Sequence, residues 1–124
     1  FELRNAIIRR DVFKANQIVK YFDSNPKAGS LFSILPLFFS YFENLMIAYY
    51  SPNMMNENAV AEFLELRNGW AAKDYVAGMR NYSGMKTMQI ISKIREIDAK
   101  SKGLDNPNTS AGDLMKELIF FILH

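Results

Sequence analysis

The only histidine in this 124-residue sequence, His124, is its last residue. Nucleophilic catalysis by a Ser–His–Asp or Cys–His set needs a base held in fixed geometry, and a terminal residue frays, so that chemistry has no footing here. Cysteine is absent, which also removes thiolate nucleophiles, thiolate metal sites and disulfides, and fits a reducing cytoplasm. Glu62 and Glu65 are spaced i, i+3 and could share a helix face. Carboxylate metal sites in helical bundles pair such residues with an inward histidine on the same helix, and none is present. A solvated acidic face is the reading that remains. The six glycines are scattered and form neither GxGxxG nor a GxxxxGK phosphate loop. The expectation is therefore no catalytic residue, no cofactor and no metal ligand.

Two features could touch nucleic acid. The segment Val60–Arg80 has the outline of a helix, a tight turn at Arg67-Asn68-Gly69, and a second helix carrying Lys73 and Arg80. Helix-turn-helix readers share that outline and insert the second helix in the major groove. Here that helix opens with Trp70, Ala71 and Ala72, which offer no bidentate donor to a base edge. Lys73 and Arg80 stay as the contacts of that alternative, a small helix-turn-helix DNA-binding domain. The aromatic group Phe32, Phe38, Phe39, Tyr41, Phe42, Tyr49 and Tyr50 could stack bases. On a helix so apolar, ring packing in a core is the better account. The seven methionines are dispersed and read as core gap-fillers.

Hydrophobic residues at 49% and charged residues at 23% are the balance of a single globular domain. The net charge is +2, distributed as +3 over Phe1–Lys27, −2 over Ala28–Tyr82, +3 over Ser83–Lys102 and −2 beyond. Such mild alternation fits solvated helix faces, with a basic surface near DNA as the lesser reading. The run Leu31–Tyr50 has the length to cross a bilayer, but Glu43 and Asn44 lie near its middle and Pro36 interrupts it. A charge there costs about 2.5–3.5 kcal/mol on insertion scales, so a bundle-core helix is expected and no membrane. The first residue is Phe1 and no signal peptide is visible, so a piece of a longer chain is expected.

The elements that would position these residues are helices divided by short breakers. A short helix is expected over Glu2–Ile8. Asp11 should cap the next, whose Ala15, Ile18, Val19 and Phe22 form one buried face before Asn25-Pro26 ends it. The long apolar helix begins either at a Ser33 cap with Pro36 in its first turn, or earlier with a kink at Pro36, and Ser51-Pro52-Asn53 closes it. Helices over Glu57–Leu66 (apolar face Val60, Phe63, Leu64) and Trp70–Tyr82 (Tyr75, Val76, Met79, Tyr82) follow. Ser83 caps a longer helix with a stripe of Met88, Ile91, Ile94 and Ile97, widened by Ile90 and stopped by Gly103. After a polar loop at Asp105–Asn108, Ser110 and Asp113 have capping-box spacing at the start of the last helix. Its end, Leu118 to Leu123, is apolar all round, so some of it should face a partner. Phe120, Phe121 and Leu123 are the candidate interface residues.

In order and content these segments resemble the C-terminal domain of the delta subunit of bacterial DNA polymerase III, over nearly the whole chain. The opening FELRNAIIRRDVFKANQIVKYFDSNPKA is similar to that family's domain entry, with Asn25, Pro26 and Lys27 at its turn. LFSILPLFFSYFENLMIAY resembles its long central helix, and AEFLELRNGWAAKDYVAGMRNYS its small helix pair. KTMQIISKIREIDAKSKG and GDLMKELIFFILH resemble the two closing helices. The resemblance implies an all-α collar domain, residues 1–124, of about five to seven helices, in a cytoplasmic clamp loader. It implies partners too: the collars of the motor (gamma/tau) and delta-prime subunits, in a closed ring of five. Clamp opening would belong to N-terminal ATPase-like domains absent from this sequence, contact with DNA would be indirect, and this domain would catalyse nothing.

Overall fold

The computed structural model describes residues 2–53, 55–66, 69–103 and 109–124, with positions 69 and 70 described by their backbone alone. Seven α-helices and no strand occur among them: α1 (Glu2–Ile8), α2 (Val12–Ser24), α3 (Leu31–Ala48), α4 (Glu57–Phe63), α5 (Gly69–Asn81), α6 (Gly84–Ser101) and α7 (Ala111–Leu123). The expected all-α bundle is the observed fold.

Helix α3 is the axis of the bundle. It packs on α5, α6 and α7, while α1 lies on α2 and α5, α2 on α7, and α4 on α5. It is also the one described helix long and apolar enough to cross a membrane. Its apolarity has a local use: Leu31, Ile34, Leu35, Phe38, Tyr41, Phe42, Leu45 and Ala48 are buried in the core, and Glu43 is exposed. Phe42 sits edge-on to Tyr41 at 5.1 Å and to Tyr82 at 5.6 Å. Tyr41 stacks on Tyr75 at 5.2 Å, and its hydroxyl donates to the Asp74 carbonyl at 2.6 Å. Burial pushes the Tyr41 phenol well above its ordinary range, with the nearby Arg4 opposing the shift. Arg4 also pairs with Asp74 at 3.0 Å and ties α1 to α5.

Local signals hold at most helix starts. Asp11, Ser83 and Ser110 accept from the backbone N–H three residues on (Lys14, Lys86 and Asp113), so each satisfies one orphan donor. Asn56 does the same for Ala59. Gly103 follows α6 at φ +85, as a left-handed stop. The start of α3 differs from the first alternative above. Ser30 is its N-cap, and Ser33 is the third helical residue, whose Oγ accepts from Ser30 N–H at 3.2 Å. Pro36 therefore lies inside the helix, and the Phe32 carbonyl lacks the i+4 donor it would otherwise have.

Two exits carry no glycine. Arg10 (φ 53) and Glu65 (φ 57) take the left-handed position. Asp11 N–H reaches the Ala6 carbonyl and Leu66 N–H the Ala61 carbonyl, the longer bond of a Schellman motif in each case. For this reason α4 stops at Phe63, not at the expected Leu66.

Three face assignments also change. Phe63 is exposed, while Val60 and Ala61 carry the burial of α4. Met88 is exposed, and the buried stripe of α6 is Thr87, Ile90, Ile94 and Ile97. Of the interface candidates, Leu123 is only 2% exposed and belongs to this chain's own core. The joining turn at Arg67-Asn68 and the Asp105–Asn108 loop lie outside the described residues, as does the side chain of Trp70.

Candidate subunit-docking surface

The carbonyl ends of three helices converge on one corner of the bundle, and side chains from elsewhere satisfy them. Arg10 spans the corner: Nε and Nη2 donate to the Leu123 carbonyl at 3.3 and 3.1 Å, and Nη1 to the Asn81 carbonyl at 3.4 Å. Tyr82 Oη donates to the Ile7 carbonyl at 2.5 Å, Asn81 Nδ2 to the Ile8 carbonyl at 2.8 Å, and Tyr49 Oη to the Tyr82 carbonyl. Lys86 Nζ donates to the Phe121 carbonyl at 2.7 Å and sits 4.2 Å from the centre of the Phe121 ring. Cations at a helix C-terminus complement its partial negative charge. Burial, with Arg10 close by, lowers the Lys86 ammonium from its ordinary range.

This corner opens onto the outer side of α6 and α7. Met85 is 71% exposed, Met88 58% and Phe120 66%, and Phe121 is half-buried, with Lys86 and Lys93 over its ring. A trough of about 610 Å3 runs past Met85, Met88, Gln89 and Phe121. A second, of about 360 Å3, continues past Phe120 and His124, and the two meet at Lys93 and Phe121. The His124 ring lies 4.6 Å from that of Phe120, a contact at the surface.

The polar edge of the troughs is a four-membered ion network. Lys93 pairs with Glu117 at 2.7 Å and Glu96 at 2.8 Å, and Lys100 with the same carboxylates at 3.3 and 3.1 Å. Hydrogen bonds from Lys93 and Lys100 hold both carboxyls below their usual range. Burial would lower Lys93, but its bonds to Glu117 and Glu96 raise it. A carboxyl lowered in the folded state stabilises above its unfolded pKa, and that contribution fades as pH falls through the folded value. Glu117→Gln is accordingly expected to lower the unfolding free energy at pH 7 by about 1 kcal/mol or less, read from the urea midpoint, because the pair is partly open to solvent. The difference from the parent should vanish at a pH low enough to protonate both carboxyls, below their lowered folded pKa values. A gap that persists unchanged at that pH would mean Glu117 acts through packing.

No family model, curated protein or solved structure matches the chain significantly.

Of the sequence-derived candidates, Phe120 and Phe121 lie together on this surface, and Leu123 turns inward. Lys73 and Arg80 are exposed and, seven residues apart, lie on one side of α5. Glu62 and Glu65 are exposed, and no metal-competent group of His, Cys, Asp and Glu occurs among the described residues. Sequence reasoning missed Met85, Lys86 and Arg10. Met85 directly follows the Ser83 cap and Gly84, an outward position that helical phase alone could have identified. Arg10 carries no comparable signal, because its partners lie 71 and 113 residues away.

Proposed function

We propose that this chain is the collar module of a clamp-loader delta subunit, a non-catalytic domain that holds the intact subunit in its ring. The observation that carries the reading is the exposed apolar side of α6 and α7, where Met85, Met88 and Phe120 lie outside the core. Contiguous apolar surface of this kind marks a protein-facing site. The sequence resemblance supplies the partners: the collars of the motor and delta-prime subunits, with clamp opening left to the N-terminal domain and DNA contact indirect. The module itself then needs no cofactor, and the intact subunit works in the cytoplasm.

The test is reconstitution. The intact protein, mixed with the motor and delta-prime subunits of the same source, is expected to elute as a five-membered complex. Deletion of this 124-residue segment should abolish its entry. An intact protein that stays outside the complex sinks the proposal. Tight duplex-DNA binding lost on Lys73→Ala and Arg80→Ala substitution would favour the helix-turn-helix alternative instead.

A further inference from the structure

The outer side of α2, opposite its buried Ala15 and Val19, carries two uncovered aromatic rings: Phe13 is 77% exposed and Tyr21 57%. They stand eight residues apart with Gln17 midway, so the three form one row along the helix, about 12 Å long at 1.5 Å per residue. At about 100° per residue, Lys20 falls on one side of this row and Lys14 on the other, and both are exposed. A ring, an amide and a second ring are thus flanked on both sides by a cation.

Most of the neighbouring charges are committed elsewhere. Arg4 pairs with Asp74, Asp23 with Lys116, and Arg10 is held on the carbonyls of Asn81 and Leu123. The other charged side chains of residues 2–27 are Arg9, Lys14, Lys20 and Lys27, four cations, against Glu2 and Asp11. None of these six makes an ion pair among the described residues, and the Asp11 carboxylate already accepts the Lys14 N–H. Glu2 and Asp11 lie beside Arg9 and Lys14, at the start of the helix. The outer side of α2 therefore remains net positive toward its Tyr21 end.

A partner must complement rings, an amide and flanking cations together. Single strands of nucleic acid do so: their bases stack on exposed aromatic side chains, and their phosphates meet the cations alongside. The Gln17 amide can both donate to and accept from a base edge. A bilayer or an apolar helix calls for a continuous apolar stripe, but Gln17 interrupts this row and the exposed Asn16 and Ser24 border it. A duplex keeps its base faces inside the stack, where Phe13 and Tyr21 could not reach them.

We infer that the outer face of α2 binds single-stranded nucleic acid, with Phe13 and Tyr21 stacked on bases and Lys14 and Lys20 on the flanking phosphates. The clamp-loader resemblance implies no such direct contact, and the inference does not depend on entry into that ring.

The experiment is an anisotropy titration of the intact protein against labelled oligothymidylate of about twenty nucleotides, over a series of salt concentrations. A duplex of the same length and phosphatidylserine vesicles are titrated alongside. Phe13→Leu and Tyr21→Leu keep an apolar side chain but not a stacking one. Each is expected to weaken oligothymidylate binding at least about fivefold and to leave its salt slope unchanged. Lys14→Gln and Lys20→Gln should each lower the slope of log K against log salt by about 0.7, one phosphate contact on a single strand. Phe120→Leu, at an exposed ring on α7, should change affinity less than about twofold. All five positions are exposed, so the urea midpoints should match that of the parent. Unchanged affinity in the two leucine variants of α2 overturns the stacking site, even where the parent binds. A parent that ignores oligothymidylate, binds the duplex equally well, or binds only the vesicles overturns it too. In each of these cases the ring-assembly reading stands, because reconstitution tests it separately.

Discussion

Phe42→Ala is expected to lower the unfolding free energy by about 3–5 kcal/mol, the usual cost of deleting a buried phenyl ring and leaving its cavity partly open. Phe42 is fully buried at the middle of α3, and edge-to-face contacts join its ring to Tyr41 and Tyr82. Such pairs contribute about 0.5–1.5 kcal/mol each beyond area burial, so the loss should fall toward the upper end of the range. Domains have only about 5–15 kcal/mol in total, so a third or more of the stability is at stake. The measurement is a urea midpoint with a Phe120→Ala control. Phe120 is exposed, and its truncation should cost less than about 0.5 kcal/mol in the isolated protein. A Phe42→Ala loss below about 1 kcal/mol would contradict the described core.

The second large effect concerns Gly78, in the interior of α5. Elsewhere a glycine there would cost about 1 kcal/mol relative to alanine, so Gly78→Ala should stabilise the helix. Here the added Cβ would overlap the Tyr41 hydroxyl and come within 3.0 Å of Leu45 Cδ1. The reason lies one turn back: Tyr41 Oη reaches the Asp74 carbonyl, which is also the i−4 acceptor for Gly78 N–H. The hydroxyl therefore lies directly over the glycine. Gly78→Ala should cost about 2–3 kcal/mol net, through overpacking and loss of that hydrogen bond. Tyr41→Phe removes the obstructing oxygen, so Gly78→Ala should cost clearly less in that background. Strict additivity of the two changes would refute the close approach as its cause.

Much of this fold was readable from residue order. Caps at Asp11, Ser83 and Ser110, the stop at Gly103 and the breaker Asn25-Pro26 are local chemistry, and the structure places them as expected. The errors have separate physical origins. Met88, Ile91, Ile94 and Ile97 advance by three residues each, so each step falls about 60° short of a full turn, and Met88 ends opposite Ile97. The alternating steps of Thr87, Ile90, Ile94 and Ile97 keep one face, and a buried threonine conceals them from an apolar count. Its hydroxyl is satisfied by the Ser83 carbonyl at 2.8 Å. Arg10 and Glu65 occupy the left-handed exits that a glycine would have announced. Leu123 failed differently. A run apolar on every side shows that some residues face outward, but α2, α3 and α6 decide which, and that information is tertiary.

The corner closed by Arg10 has a consequence for how the chain acquires its structure. A residue from the beginning of the sequence ties down the Leu123 carbonyl 113 positions later, and α2 packs on α7. During synthesis at about 5–20 residues per second, α1 to α6 emerge with the seat of α7 still vacant, and their core residues stay open to solvent for seconds. Cooperative folding must wait for the last helix. Premature termination anywhere before it would leave no smaller folded version of this domain, only a chain for chaperones and proteases to clear.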